Sequence, residues 1–303
     1  MALLYISLPD RAAVWQPIFD AAGVPMIIGE EAVTDPAEVT YIACWQPPAD
    51  LSIYPNLKAV ICVAAGVDHM PPMPEGVVLT RTIASSIAPM VRDWVVMATL
   101  MLHRQMPAYI EQAKTGTWKS QGIQSSQSRR VGIMGMGRIG ALTAQTLSSL
   151  GFDVAGWSRS GTPVDGIDVY GAEDLPAFLQ RTDLLVCLLP LTKETRGILG
   201  QDVFNQLPAG AMLVHAGRGG QLDMKALKSA LDSGQIHSVM MDVTNPEPLP
   251  ADHWAWTDPR VIINPHVGSV TDYAEGAEHA LNVIRALRSG EDIPGLVDQS
   301  RGY

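Results

Sequence analysis

Short apolar runs, each closed by glycine, proline or a polar residue, alternate along the chain with longer stretches in which apolar positions recur every three or four residues. Up to Leu79 the runs are Leu3–Ser7, Pro25–Ile28, Tyr41–Cys44, Ala59–Val63 and Val77–Leu79. Continuous apolar runs of this length suit strands buried on both faces, and their alternation with amphipathic or looped segments predicts a parallel sheet in a small α/β domain. From Ser85 to about Lys114 the residues Val91, Val95, Ala98, Leu102 and Met106 keep a helical spacing, with Pro89 in the first turn, and predict one long helix. The polar, serine-rich segment from Ser120 to Arg130 is a loop.

A second rhythm begins at Val131. It predicts strands at Val131–Met134, Asp153–Trp157, Leu184–Leu188, Ala211–Val214, Ser238–Asp242 and Val261–Ile263. Helices are expected at Arg138–Leu150, Asp174–Gln180, Gln201–Gln206, Asp223–Ser233 and Thr271–Arg288. Six strands separated mostly by helices match a doubly wound dinucleotide fold. The last helix starts past the sixth strand and is free to pack on the first domain, so that domain is expected to be discontinuous: residues 1–90 with 270–303, around a second domain at 91–269. The expected class is therefore α/β, with two doubly wound parallel-sheet domains.

Composition narrows the functional classes. A chain of 303 residues is long enough for two cores. Its formal charge of −10, with Arg129-Arg130 the one adjacent basic pair, argues against a nucleic-acid partner. Cys44, Cys62 and Cys187 each lie in or beside an apolar run without metal-ligand spacing, and read as reduced, buried thiols. The N-terminal apolar run has no basic residue before it and ends by Pro9, as a first strand does and a signal peptide does not. The longest apolar helical stretch, Ile87 to Leu102, is interrupted by Pro89, Arg92 and Asp93 and is too short to span a membrane. A cytoplasmic protein with no membrane partner and no metal is expected.

The chemistry begins at Gly135-Met-Gly137-Arg138-Ile139-Gly140, where a predicted strand turns into a helix. In a dinucleotide site the first glycine makes the turn, the second lets the backbone approach the pyrophosphate, and the third packs helix on strand. A phosphate then sits on the helix N-terminus. The next strand should end in Asp or Glu to hold the ribose 2′-hydroxyl of NAD. Here it ends Trp157-Ser158-Arg159-Ser160, with two hydroxyls and a guanidinium suited to a 2′-phosphate. That favours NADP(H), with NAD(H) the weaker alternative.

Three further segments follow predicted strands: His215-Ala-Gly-Arg-Gly-Gly220, Asp242-Val-Thr-Asn-Pro-Glu-Pro-Leu-Pro250 and Asn264-Pro-His-Val-Gly268. In a doubly wound sheet such ends face the ligand crevice, so Arg218, Glu247 and His266 can converge. Each has an ordinary alternative: Arg218 as a clamp on a loop carbonyl, Glu247 as a turn cap between prolines, His266 as a satisfied core histidine.

Taken together, Gly135-x-Gly137-x-x-Gly140, Leu188-Leu-Pro-Leu-Thr-Lys-Glu-Thr195, Gly217-Arg-Gly219, Glu247-Pro-Leu-Pro250 and Pro265-His266 resemble, in order, the motifs of the D-isomer-specific 2-hydroxyacid dehydrogenases. Trp45-Gln-Pro-Pro48, Ala65-Gly-Val-Asp68, Trp157-Ser-Arg159 and the ending Val297-Asp-Gln-Ser-Arg-Gly-Tyr303 resemble the glyoxylate/hydroxypyruvate reductase A subgroup. The resemblance implies a Rossmann cofactor domain inserted in a discontinuous flavodoxin-like substrate domain, and reduction of a small 2-oxo acid to a D-2-hydroxy acid. Arg218 would hold the substrate carboxylate and polarise the ketone, His266 would be the proton donor, and Glu247 would orient the ring. Ala65 and Gly66 would offer N–H groups to the carboxylate and Trp45 would line the pocket, whereas interdomain packing is the plain alternative for Trp45. Leu189, Pro190 and Thr195 would flank the adenosine and ribose, Asp242 would meet the nicotinamide amide, and Ala216 and Gly268 complete the cofactor set with Arg218 and His266.

The chain departs from the family at His215, where Asn or a similar small polar residue is usual, at Ala64 in place of a common Gly, and at Gly268 in place of a frequent Ala. The family also implies a homodimer, attached to the helix from Ser85 and the loop after it. Two other readings stay open at this point: a dehydrogenase for bulkier 2-oxo acids such as phenylpyruvate, and a non-catalytic relative that senses cofactor.

Overall fold

The computed structural model describes residues 1–298; residues 299–303, most of the C-terminal subgroup motif named above, lie outside the described residues. Two compact units make up the chain: Met1–Ile87 with the segment that starts at Val270, and Ala88–Ser269.

The first unit opens with strand β1 (Ala2–Ile6), helix α1 (Pro9–Ala21), then β2 (Met26–Ile28), β3 (Val39–Cys44), β4 (Ala59–Cys62) and β5 (Val78–Arg81). The five strands are parallel in the order β2-β1-β3-β4-β5. This is the flavodoxin-like order. Every residue of β3 and β4 is buried, which is why these strands read as unbroken apolar runs rather than alternating ones. Apart from α1, short 3-10 turns and loops make the connections in this part of the unit.

In the second unit, α2 (Ile87–His103) and α3 (Met106–Lys114) replace the single helix expected from Ser85 to Lys114. The reason is local: Gln105 takes a left-handed φ of 59°, and Pro107, in the first turn of the next helix, has no N–H to continue the ladder. There follow β6 (Arg130–Met134), α4 (Arg138–Ser149), β7 (Asp153–Trp157), β8 (Asp168–Tyr170), α5 (Leu175–Gln180), β9 (Leu184–Cys187), α6 (Gln201–Gln206), β10 (Ala211–His215), α7 (Met224–Ser233), β11 (Ile236–Met241) and β12 (Val261–Ile263). They form one parallel sheet ordered β12-β11-β10-β9-β6-β7-β8. Read from its first strand, β6, this is the doubly wound dinucleotide order extended by a strand at one edge. The sheet has seven strands rather than the six expected. The extending strand is β12, and the strand not expected is β8, a three-residue edge strand in the third place of that order, too short to carry a readable period.

The last helix, α8 (Tyr273–Ser289), belongs to the first unit. Its Ala277, Ala280, Leu281 and Ile284 share a buried cluster with Trp15 and Phe19 of α1 and with Leu3, Tyr41 and Ile61 of the sheet. Burial of each large aliphatic side chain contributes about 1.5–3 kcal/mol, and this face is what draws the C-terminal segment back to the N-terminal strands. Asp272 caps the helix by accepting from the Glu275 N–H at 2.9 Å, and Gly290, at φ 73°, ends it.

Among the described residues no helix is long and apolar enough to cross a membrane, and no cluster of His, Cys, Asp and Glu could hold a metal. Among the described residues no disulfide forms, and Cys44, Cys62 and Cys187 are buried. Burial pushes the Cys187 thiol up to about 12, and burial followed by the neighbouring Cys62 raises Cys44, so both stay protonated and unreactive at neutral pH.

Candidate active site

One row of the second sheet aligns the candidate residues. Strand pairing matches Tyr170 with Trp157, Trp157 with Met134, Met134 with Cys187, Cys187 with His215, His215 with Met241 and Met241 with Ile263. These residues close their strands, and the chemistry-bearing segments start immediately past them: Gly135, Ser158, Leu188, Ala216, Asp242 and Asn264. Motifs scattered from residue 135 to residue 268 are thereby collected along a single edge.

At the β6–α4 turn the glycines divide their work. Gly135 has φ 106°, and a Cβ there would lie 2.7 Å from the Leu188 carbonyl oxygen. A Cβ on Gly140 would lie 1.9 Å from the Gly135 carbonyl oxygen, so helix and strand can pack this closely only without one. A Cβ on Gly137 would meet nothing within 4 Å, and no side chain caps the helix that starts at Arg138. The first-turn N–H groups of a helix lack intrahelical partners, so an open approach to them is a cradle for an anion. The Ser158 hydroxyl, past the end of β7, is buried without a hydrogen-bond partner. These residues fit a phosphorylated dinucleotide. Thr195 is drawn inward: its hydroxyl donates to the Pro190 carbonyl at 2.6 Å and accepts from the Thr192 N–H at 2.8 Å, which shapes the Leu189–Thr195 loop.

His266 Nδ1 lies 2.9 Å from Glu247 Oε2, with both side chains about two-fifths exposed. Glu247 also caps its own turn, its Oε1 accepting from the Thr244 N–H at 3.0 Å, so the ordinary reading of that residue holds alongside the functional one. His266 itself sits at φ 54°, a left-handed conformation that costs a non-glycine residue about 1–2 kcal/mol. Asp242 holds the chain there. Its carbonyl accepts from the His266 N–H at 2.9 Å, and its two carboxylate oxygens accept from the Val267 and Gly268 N–H groups at 2.8 Å each. Sequence reasoning assigned Asp242 to the nicotinamide amide; in the structure it is a buried brace for the histidine loop, with lone pairs to spare on each oxygen.

Arg218 stands between two glycines for a packing reason. A Cβ on Gly217 would lie 2.2 Å from Gln221 Oε1, and one on Gly219 would lie 1.9 Å from the Thr244 carbonyl oxygen. The arginine loop is thus pressed on one side against the Leu189 turn and on the other against the segment that carries Glu247.

His215 is fully buried, and its Nε2 lies 3.0 Å from the Arg218 carbonyl, which can only accept. Nε2 therefore carries the proton and Nδ1 has no partner. Burial drives the ring's pKa down to about 4, with the Arg218 charge adding to it and the carbonyl bond opposing it. A histidine depressed in this way binds its proton more readily when unfolded. Its contribution to stability is complete above pH ~6.5 and is lost as pH falls toward 4, about 3 kcal/mol across that window. His215→Asn is expected to remove this loss. Because burial lowers His103, His237 and His279 as well, the quantity to measure is the difference between variant and wild-type denaturation midpoints at pH 7 and pH 4.5. A constant difference would contradict it.

In the first unit, Trp45 follows β3 and Ala65 and Gly66 follow β4, again past the ends of parallel strands. Trp45 is 48% exposed, and its ring stacks on His69 at 3.9 Å between centroids. His69 Nε2 reaches the Trp45 carbonyl at 2.6 Å, so His69, which sequence reasoning missed, fixes the indole. The N–H groups of Ala65 and Gly66 donate to no backbone carbonyl among the described residues. Arg130 is clasped by Asp183 through two side-chain contacts, which engages half of the Arg129-Arg130 pair within the fold.

The family model for the NAD-binding domain of D-isomer-specific 2-hydroxyacid dehydrogenases matches residues 96–268. A glyoxylate/hydroxypyruvate reductase A from Yersinia enterocolitica is 36% identical over 280 residues, 89% of each chain. The chain belongs to the D-isomer-specific 2-hydroxyacid dehydrogenase family. Among solved structures of that family, the dehydrogenase from Xanthobacter autotrophicus Py2 in complex with NADPH and MES superposes with a TM-score of 0.92 at 34% identity, covering 100% of this chain and 99% of that one. An NADPH-dependent glyoxylate/hydroxypyruvate reductase from Sinorhizobium meliloti, in complex with NADP and sulfate, gives 0.91 at 33% identity with 100% of both chains covered. The dehydrogenase fold expected from the motifs is therefore the fold observed.

Proposed function

We propose that this protein reduces small 2-oxo acids such as glyoxylate and hydroxypyruvate to D-2-hydroxy acids, with NADPH preferred over NADH. The observation that carries the reading is the His266–Glu247 pair at 2.9 Å on the sheet edge that also bears Arg218 and the open glycine turn. The names of the Yersinia and Sinorhizobium relatives support the same substrate class.

Bound NADPH supplies the hydride. Gly135, Gly137 and the N–H groups of Arg138 and Ile139 would take the pyrophosphate, and Ser158, Arg159 and Ser160 the 2′-phosphate. Trp157, Leu189, Pro190, Thr195, Ala216, Asp242 and Gly268 would complete the cofactor contacts. Arg218 binds the substrate carboxylate and draws electron density onto the ketone oxygen. His266 donates the proton that turns the developing alkoxide into a hydroxyl, from the nitrogen opposite the one Glu247 holds. Trp45, Ala65 and Gly66 are assigned to the substrate by the family pattern. The family pattern supports a cytoplasmic homodimer.

Comparing kcat/KM across 2-oxo acids of increasing size, with NADPH and with NADH, tests this reading. Turnover of glyoxylate and hydroxypyruvate with NADPH is expected. A preference for phenylpyruvate would move the protein to the bulky-acid class, and silence on every acid would make it a cofactor-binding relative without catalysis. Arg159→Asp is expected to raise KM for NADPH by roughly 10- to 100-fold while leaving NADH little changed, since a charge-assisted contact contributes about 1.5–3 kcal/mol. An unaltered cofactor ratio would remove Arg159 from the 2′-phosphate site.

A further inference from the structure

Gln221 is absent from the set of residues that the motifs point to, yet its side chain is wholly buried beside Arg218. Its Oε1 accepts from the Arg218 N–H at 2.8 Å. Its Nε2 donates to the Leu189 carbonyl at 3.0 Å and to the Pro190 carbonyl at 2.9 Å. On the other side of Arg218, the His215 ring donates to the Arg218 carbonyl at 3.0 Å. Both peptide groups of the arginine are therefore tied by buried side chains, and one of those side chains ends on the loop assigned to the cofactor.

Buried amides with every valence used are rigid elements, because losing a partner leaves an unsatisfied polar group in a medium that penalises it. Here the amide spans two loops from neighbouring strands, β9 and β10, that have no sequence proximity. A Cβ on Gly217 would lie 2.2 Å from the same Oε1 and 3.0 Å from the Leu189 carbonyl oxygen, so the loop packs this closely on the amide only with glycine there.

We propose that Gln221 is a positioning residue: it locks the backbone of Arg218 to the Leu189–Pro190 turn, so that the carboxylate clamp is set by the loop that flanks the cofactor. This rests on the reading of Arg218 as the substrate's carboxylate partner. The role is distinct from filling space, because it depends on a donor and an acceptor presented together in one side chain.

Two substitutions separate the possibilities. Gln221→Met keeps the length and removes both functions; kcat/KM for the 2-oxo acid is expected to fall about 10- to 100-fold in protein shown by circular dichroism to be folded. Gln221→Glu is the conservative variant. Protonated, its carboxyl keeps an oxygen for the Arg218 N–H and offers one O–H in place of the amide's two N–H donors, so one of the two carbonyls keeps a partner; ionised, it turns an oxygen toward both carbonyl oxygens. Gln221→Glu is therefore expected to be more active than Gln221→Met at acid pH and to lose kcat/KM with rising pH more steeply than wild type. A Gln221→Met enzyme within threefold of wild type, or a Gln221→Glu enzyme with the wild-type pH profile, would overturn the proposal. Should Gln221→Met not fold, the Gln221→Glu profile decides alone. A wild-type protein that turns over no 2-oxo acid would instead refute the functional reading, which keeps the two failures apart.

Discussion

Replacement of His266 by alanine is expected to lower kcat for 2-oxo acid reduction by roughly 100- to 10,000-fold, the range for loss of a positioned general acid. Glu247 holds the ring at 2.9 Å through Nδ1, and in the proposed mechanism the opposite nitrogen faces the reacting oxygen. Alanine removes the proton source and leaves the hydride donor and the carboxylate clamp in place, so the loss belongs in kcat more than in KM. The φ of 54° complicates a single substitution, because alanine is strained there. His266→Asn, a residue that tolerates the left-handed region, is the control for backbone strain. Both variants are expected to be slow, and a rate near wild type in either would end the proton-donor assignment. Glu247→Gln is expected to fall between wild type and these variants: an amide that turns its NH2 toward Nδ1 favours the wrong tautomer, whereas one that presents its oxygen keeps the ring oriented.

The second large effect is expected at Arg218. Arg218→Lys keeps the charge and loses the planar fork that engages a carboxylate with two parallel bonds. With two donors lost from a site built around developing negative charge, kcat/KM is expected to fall about 100- to 1,000-fold, comparable to removal of an oxyanion donor. Inhibition by oxalate, which presents the carboxylate without a ketone, is expected to weaken in parallel. A lysine enzyme within tenfold of wild type would show that charge alone suffices and that the fork is not used. The Arg218 N–H and carbonyl are tethered by Gln221 and His215, which the substitution leaves alone, whereas the bond from its Nη1 to the Gly217 carbonyl at 2.8 Å is lost with the guanidinium.

Much of the fold is legible in the pattern because its strands are buried on both faces. Runs such as Ala59–Cys62 and Leu184–Cys187 have every position inside, so hydrophobicity marks them without reference to any partner. The failures have the same logic. Strand β8 gains its conformation from pairing with β7, and the break before α3 turns on Gln105 and Pro107 inside an otherwise continuous helical period. The glycine turn and the absence of an acid after Trp157 are local facts, and so the cofactor class was readable from the residues.

What the sequence by itself determined is every strand but β8, the dinucleotide turn and the cofactor class, and it singled out Arg218, Glu247 and His266 as candidates. The tertiary structure decided what those residues touch. Only the register of adjacent parallel strands brings positions from Gly135 to Gly268 onto one edge. Only the packed loops show that Asp242 braces the histidine, that His215 is a neutral donor to the arginine's carbonyl, and that Gln221 ties the arginine to Leu189 and Pro190. Hydrophobic period is a property of a segment and survives in the one-dimensional string. The partner of a buried polar group is a property of whatever stands across from it, and that is settled when the strands take their order.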